Sequence, residues 1–213
     1  DLTFSGMPKA IYLDLDKYQD MLKPYEDKIY RVLCRNYQGV NPWVNEKRQR
    51  DIILKTAATL SRSDRPYLND ILINADMDEI VSRESVQAWL DGETNHRPTA
   101  LEMQMYYYYI NNKAVSTWCG GKIMKLHEPL GQTLSELRYD PNLPVIAHGG
   151  WHFSFLGGAQ RIKQKVISYA HNDLYHFVAD DVKLAEDLRT GRDIFSDRNL
   201  EFNRVEVDET YPK

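Results

Sequence analysis

The stretch Ile71-Leu72-Ile73-Asn74-Ala75-Asp76-Met77-Asp78-Glu79-Ile80 runs an apolar segment straight into three carboxylates. Ile71 to Ile73 is the kind of run expected of a strand covered on both faces. Charge directly behind such a strand is out of place unless something uses it. In open α/β sheets ligands sit in the crevice beyond the carboxyl ends of strands, and a hard divalent cation there takes carboxylate oxygens together with substrate phosphates. Asp76 and Asp78 suit that role. Solvated loop acids remain the alternative, because acid-x-acid spacings arise by chance in a chain with 31 acidic residues.

On the amino-terminal side, Ala10–Leu13 and Ile29–Leu33 are short β-prone runs, and the polar stretch between Tyr18 and Lys28 has room for a helix. Asn41-Pro42 opens a helix reaching about Leu60, with asparagine as cap and proline at the first helical position. Ile53, Ala57 and Leu60 recur along it at helical spacing. A turn at Arg65-Pro66 then leads into the strand at Ile71.

On the carboxyl-terminal side, a helix is expected around Ser82–Leu90, a loop over Asp91–Pro98 and a long strand over Leu101–Ile110. Leu101, Met103, Met105, Tyr107 and Tyr109 share one face of that strand. One further strand is expected within Ser116–Leu126, a short helix near Leu134–Leu137, and a strand at Trp151–Phe155. Helices follow at Ala159–Ala170 and Val182–Arg189. Alternating elements early and antiparallel-looking strands later predict an α/β fold, a mixed sheet with helices on its faces in one domain.

A chain of 213 residues, 42% hydrophobic, buries one sizeable core. Its net charge of −4 is spread over interspersed signs, so no nucleic acid or anionic membrane is expected as partner. Cys34 and Cys119 stand far apart with no C-x-x-C motif, which supports neither a disulfide framework nor a cysteine zinc site. No apolar run spans a bilayer, so no membrane contact is expected of this segment. The lack of an N-x-S/T sequon favours a cytoplasmic setting, with the Golgi lumen open if an anchor precedes Asp1.

Two other stretches carry chemistry. Asp14-Leu15-Asp16 also follows an apolar run and is similar to the nucleophile strand of haloacid-dehalogenase-like phosphatases. Lys17 and Tyr18 then stand where a glycine or small hydroxyl residue is usual. His148-Gly149-Gly150-Trp151-His152-Phe153-Ser154-Phe155 concentrates two histidines, two glycines and three aromatics. Glycines admit close backbone approach, aromatic faces stack on sugars, and histidine ligates metal or binds phosphate oxygen. A tight turn feeding an aromatic core strand accounts for it equally well. Arg161, Lys163 and Lys165 on the next helix are a solvated face unless one reaches a diphosphate. With 14 tyrosines and four tryptophans, a non-catalytic carbohydrate-binding module is a competing reading.

Taken in order, Thr3-Phe4-Ser5-Gly6, Lys9, Arg50-Asp51, Asp76-Met77-Asp78-Glu79-Ile80, Gly150–Phe155, Lys165, Ser168, Asp173 and Gly191-Arg192-Asp193-Ile194-Phe195 resemble glycosyltransferase family 17, the family of the bisecting β-1,4-mannosyl-glycoprotein 4-β-N-acetylglucosaminyltransferase. The resemblance implies a GT-A-like domain over residues 1–213, with a first strand of that fold belonging to chain upstream of Asp1. It further implies Mn²⁺ or Mg²⁺ at Asp76 and Asp78, with His152 as a further ligand. The donor is expected to be a UDP-sugar carrying N-acetylglucosamine, held by Arg50, Trp151, His152, Lys165 and His171. The acceptor is a glycan or glycoprotein hydroxyl that attacks with inversion, and Asp173 is the expected base, with Glu79 as the alternative.

Overall fold

A computed structural model describes residues 18–32, 34, 41–61, 70–126, 131–195, 198 and 200–212. Thr3-Phe4-Ser5-Gly6, Lys9, the expected strand at Ala10–Leu13, the Asp14-Leu15-Asp16 triplet, Leu33 and the turn at Arg65-Pro66 lie outside them.

Gln19–Leu22 (α1) and a 3-10 turn at Lys23–Lys28 fill the polar stretch expected to be helical. Helix α2 spans Pro42–Ser61, with Asn41 Oδ1 accepting from the Trp43 N–H at 3.0 Å. Strand β1 (Ile71–Asn74), strand β2 (Glu79–Val81) and helix α3 (Arg83–Leu90) follow, then β3 (Thr99–Tyr107), β4 (Asn112–Trp118) and β5 (Lys122–Lys125). Helix α4 (Leu134–Tyr139) precedes β6 (Val145–Ser154). Helix α5 (Gly158–Ser168), a 3-10 turn at Asn172–Leu174, α6 (Tyr175–Val178), α7 (Asp181–Thr190) and β7 (Phe202–Arg204) complete the order.

Strand β3 is the hub of a curled mixed sheet that has seven strands among the described residues. Strand β6 runs parallel along one edge of it, while β4 and β5 share the other edge, both antiparallel. Strand β1 pairs with β5, β7 with β4, and β2 with β6, so the sheet is largely antiparallel. The apolar pattern of β3 reads as expected at Leu101, Met103, Met105 and Tyr107, all 5% exposed or less.

Three apolar clusters fix the helices. Helices α5, α6 and α7 lay Ile162, Val166, Val178 and Leu184 on Met105, Tyr107 and Phe155. Helix α4 and Leu54 and Ala57 of α2 pack on Leu72 and Met124. Helix α3 buries Trp89 on Leu101, Met103, Ile123 and Ile146, and the Trp89 indole N–H is satisfied by the Arg97 carbonyl at 3.0 Å. Among the described residues no helix is long and apolar enough to cross a membrane.

Several expectations need correction. Ile29 to Val32 join no regular element, because a β-prone composition forms a strand only where an edge receives it. Strand β1 is not covered on both faces: Ile71 and Ile73 are 39% and 40% exposed, and among the described residues β1 ends the strand order. Strand β3 stops at Tyr107, since Tyr108 takes a left-handed φ of 65° that ends extended pairing. The single strand expected in Ser116–Leu126 is two, broken at Cys119-Gly120-Gly121, and β6 starts six residues before Trp151. Strand β2, α6 and β7 are too short to leave a periodic signal.

Candidate functional site

The loop that leaves β1 crosses from the β5 side of the sheet to the β6 side, where β2 pairs Glu79 with His152 and Val81 with Gly150. The loop is closed on itself: the Glu79 N–H donates to the Asp76 carbonyl at 2.9 Å, and the Asp76 N–H donates to Glu79 Oε2 at 2.8 Å. The Phe153 N–H donates to the Asp78 carbonyl at 2.8 Å, tying the loop to β6. Gly150 makes this docking possible. Its φ of +141° suits glycine, and a Cβ there would overlap the Ile80 carbonyl.

From this short loop the three acids diverge. Asp76 lies between two guanidiniums, with Arg138 Nη2 2.6 Å from Oδ2 and Arg50 Nη2 3.2 Å from Oδ1. Asp78 meets Lys165 Nζ at 2.7 Å, with His152 Nε2 3.6 Å away. Glu79 turns inward, its side chain fully buried, where it accepts from Arg138 Nη2 at 2.8 Å and from the Trp118 indole N–H at 2.6 Å. A Cβ at Gly120 would overlap both Trp118 Nε1 and Glu79 Oε1, so that contact requires glycine.

Local structure explains why the guanidiniums converge. Helix α4 carries a capping box, with Thr133 Oγ1 accepting from the Glu136 N–H and Glu136 Oε2 from the Thr133 N–H. The Ser135 N–H donates to Asp51 Oδ1 at 3.2 Å, fastening α4 to α2 one residue from Arg50. Arg50 is itself braced one helical turn back by Glu46 at 2.9 Å. On the other side, Lys165 of α5 also donates to Ser154 Oγ at 3.1 Å and lies 4.7 Å from the centre of the Phe155 ring.

The electrostatics follow from these contacts. Burial works to raise the Asp78 pKa, but the His152 ring and the Lys165 ammonium outweigh it and hold the carboxyl well below the usual carboxylate range. Burial likewise opposes ionisation of Glu79, and hydrogen bonds and charge from Arg138, the Asp76 N–H and the Trp118 indole together hold its pKa down. Both are carboxylates at neutral pH. Beside Arg138 and Trp118 a cavity of about 300 Å³ opens, also lined by Lys122, Tyr139 and Asp140. Lys122 is 1% exposed and burial lowers its pKa to about 8.

Arg50, Asp76, Asp78, Glu79, His152 and Lys165 are thus brought together. Trp151 is not, since alternation along β6 places it on the opposite face from His152, beside Gln104 and Ile80 in the ladder. Trp118 is the indole near His152 instead, with ring centres 5.5 Å apart. His171 is exposed and stands edge-on to Trp43 at 4.2 Å, and Asp173 is exposed on the 3-10 turn that follows. Arg138, Trp118 and Glu46 were not legible as site residues. Arg138 did leave a signal, because it stands four residues after Leu134 on the buried stripe of α4.

The donor set can be weighed against a divalent cation. Among the described residues no group of three or more His, Cys, Asp or Glu side chains converges to hold one. A cation completed by substrate phosphates needs only one or two carboxylates. Asp78 and Asp76, ionic partners in place and side chains 29% and 42% exposed, fit that mode. His152 fits less well as a ligand, because its Nδ1 is buried with no hydrogen-bond partner to fix the ring.

The family model described as glycosyltransferase family 17 matches residues 1–204. Neither a curated protein nor a solved structure matches the chain. The chain belongs to glycosyltransferase family 17, and it is accordingly a glycosyltransferase, an enzyme that takes a donor sugar and a glycan acceptor.

Proposed function

We propose that this family 17 member is a single GT-A-like domain over residues 1–213. In this reading it transfers N-acetylglucosamine from UDP-N-acetylglucosamine to a glycan hydroxyl, with inversion and with Mn²⁺ or Mg²⁺ at Asp78 and Asp76. The observation that carries the reading is Asp78: an ionised, partly exposed carboxylate just past a sheet strand, beside a second acid already gripped by two guanidiniums. The metal would supply Lewis-acid stabilisation of the charge that builds on the departing diphosphate.

The chain's own residues do the rest. Arg50 and Lys165 offer cationic donors to phosphate oxygens, and His171 is the further polar side chain expected to meet the donor. His152 stands beside Asp78, with Nε2 3.6 Å from Oδ2. The acceptor oxygen forms its bond to the anomeric carbon as the bond to the diphosphate breaks on the opposite face, and its proton passes to a carboxylate. Asp173, exposed on its turn, suits that task better than Glu79. The Glu79 carboxylate is already taken by Arg138, Trp118 and the Asp76 N–H, which supports it as a brace for Arg138.

The test is thermal stability with UDP-N-acetylglucosamine in Mn²⁺ and in EDTA, paired with UDP release on adding an acceptor glycan. At a ligand concentration about 100 times Kd the stability gain is about 2.7 kcal/mol. It is expected only with the cation present. A full gain in EDTA refutes the metal role, and an absence of UDP release favours the carbohydrate-binding reading.

A further inference from the structure

We infer that Lys165 is an exchangeable counter-ion, which holds Asp78 in the resting enzyme and passes to a phosphate oxygen when the divalent cation and donor are bound. This rests on the metal-dependent reading above. Each acid of the loop has a basic partner, but the partners differ in how they are held. Arg50 and Arg138 are 9% and 4% exposed in their side chains and are braced by Glu46 and Glu79. Lys165 is 37% exposed, and beyond Asp78 its polar anchor among the described residues is one hydroxyl, Ser154 Oγ at 3.1 Å. Its ammonium sits on a flexible four-carbon stem rather than in a rigid fork.

Geometry also favours the exchange. Lys165 Nζ lies 2.7 Å from Asp78 Oδ2, so a divalent cation on that oxygen would face an ammonium across it. Like charges that close, in a partly buried site, repel strongly. His152 does not relieve this, because its side chain is 12% exposed and held in the ladder opposite Glu79. A UDP-sugar diphosphate arriving with the cation brings two negative charges to two positive ones, so Lys165 can leave the carboxylate only by finding a new anion. The phosphate oxygens provide it. The Phe155 ring, 4.7 Å from Nζ, gives the ammonium a favourable surface beside Asp78.

The exchange predicts two effects of opposite sign from one substitution. Mn²⁺ binding without nucleotide is measured by electron paramagnetic resonance of the free ion, and UDP binding at saturating Mn²⁺ by calorimetry. The proteins are the wild type, Lys165→Met, Lys165→Gln and Lys163→Met. Removing the competing ammonium is expected to tighten Mn²⁺ binding about tenfold or more and to weaken UDP binding by a similar factor, each tenfold corresponding to about 1.4 kcal/mol. Lys163, on the same helix but paired with Asp181 at 2.8 Å, is the control and should leave both within about twofold. If wild type binds Mn²⁺ and both Lys165 variants bind it no tighter, or bind UDP no more weakly, the exchange is overturned while the metal site stands. If none of the proteins binds Mn²⁺ even with UDP present, the metal-dependent reading falls and the exchange with it.

Discussion

Replacing Arg138 with methionine probes the buried cluster that shapes the loop. The substitution keeps much of the apolar volume and removes a guanidinium that is 4% exposed, set against a Glu79 carboxylate with no exposed side-chain surface. What remains hydrogen-bonded to Glu79 among the described residues is the Asp76 N–H and the Trp118 indole, both neutral donors, with the buried Lys122 ammonium as the remaining nearby charge. Breaking one side of a buried ion pair costs about 3–5 kcal/mol. In a domain of this size each kcal/mol moves Tm by about 2–4 °C, so Tm should fall by about 6–20 °C at neutral pH. The pH dependence gives the sharper test. In the wild type the folded Glu79 pKa lies below its unfolded value, so its stabilisation is fully present above the unfolded pKa and is lost only as pH falls through the folded one. In Arg138→Met, burial acts without its main opposing charge and the Glu79 pKa rises above the unfolded value. The variant is then penalised at neutral pH and regains stability as acid protonates Glu79 toward about pH 5. Urea denaturation at the two pH values reads this directly, and Glu79→Gln/Arg138→Met should be more stable than Arg138→Met alone. A deficit under about 1 kcal/mol, or one that does not shrink on acidification, refutes the argument that Arg138 neutralises a buried carboxylate.

Asp78→Asn is expected to abolish UDP release while changing stability by about 1 kcal/mol or less, because its partners are partly solvated and an amide is a poor ligand for a hard cation; melting and turnover on one preparation separate the two. Asp173→Asn should lower kcat by about 10² to 10⁴ with donor affinity unchanged, as loss of a proton acceptor does. Weakened donor binding with kcat spared would make Asp173 a binding residue. Gly120→Ala should cost about 1–3 kcal/mol by forcing Trp118 and Glu79 apart, read by chemical denaturation.

What the sequence could and could not reveal about this site has a physical pattern. The acids were legible because they are local: a strand-like run followed by charge marks a strand end, and β1 does end at Asn74, two residues before Asp76. Most helices were legible for the same reason, since caps such as Asn41 and apolar spacings such as Ile162 and Val166 are written within a few residues. The cations were not, because Arg50, Arg138 and Lys165 come from three helices and are matched to particular acids only by packing. Nor could spacing assign the two neighbours Asp78 and Glu79. One shifts the backbone toward β6 through its carbonyl, and the next begins the β2 ladder opposite His152, so Glu79 takes the buried side and Asp78 is left beside Lys165. A single-residue slip of β2 against β6 would reverse that choice, since side chains alternate with a period of two. The pairing of β2 with β6, fixed by Gly150 under the Ile80 carbonyl, therefore decides which acid braces Arg138 and which remains open to substrate.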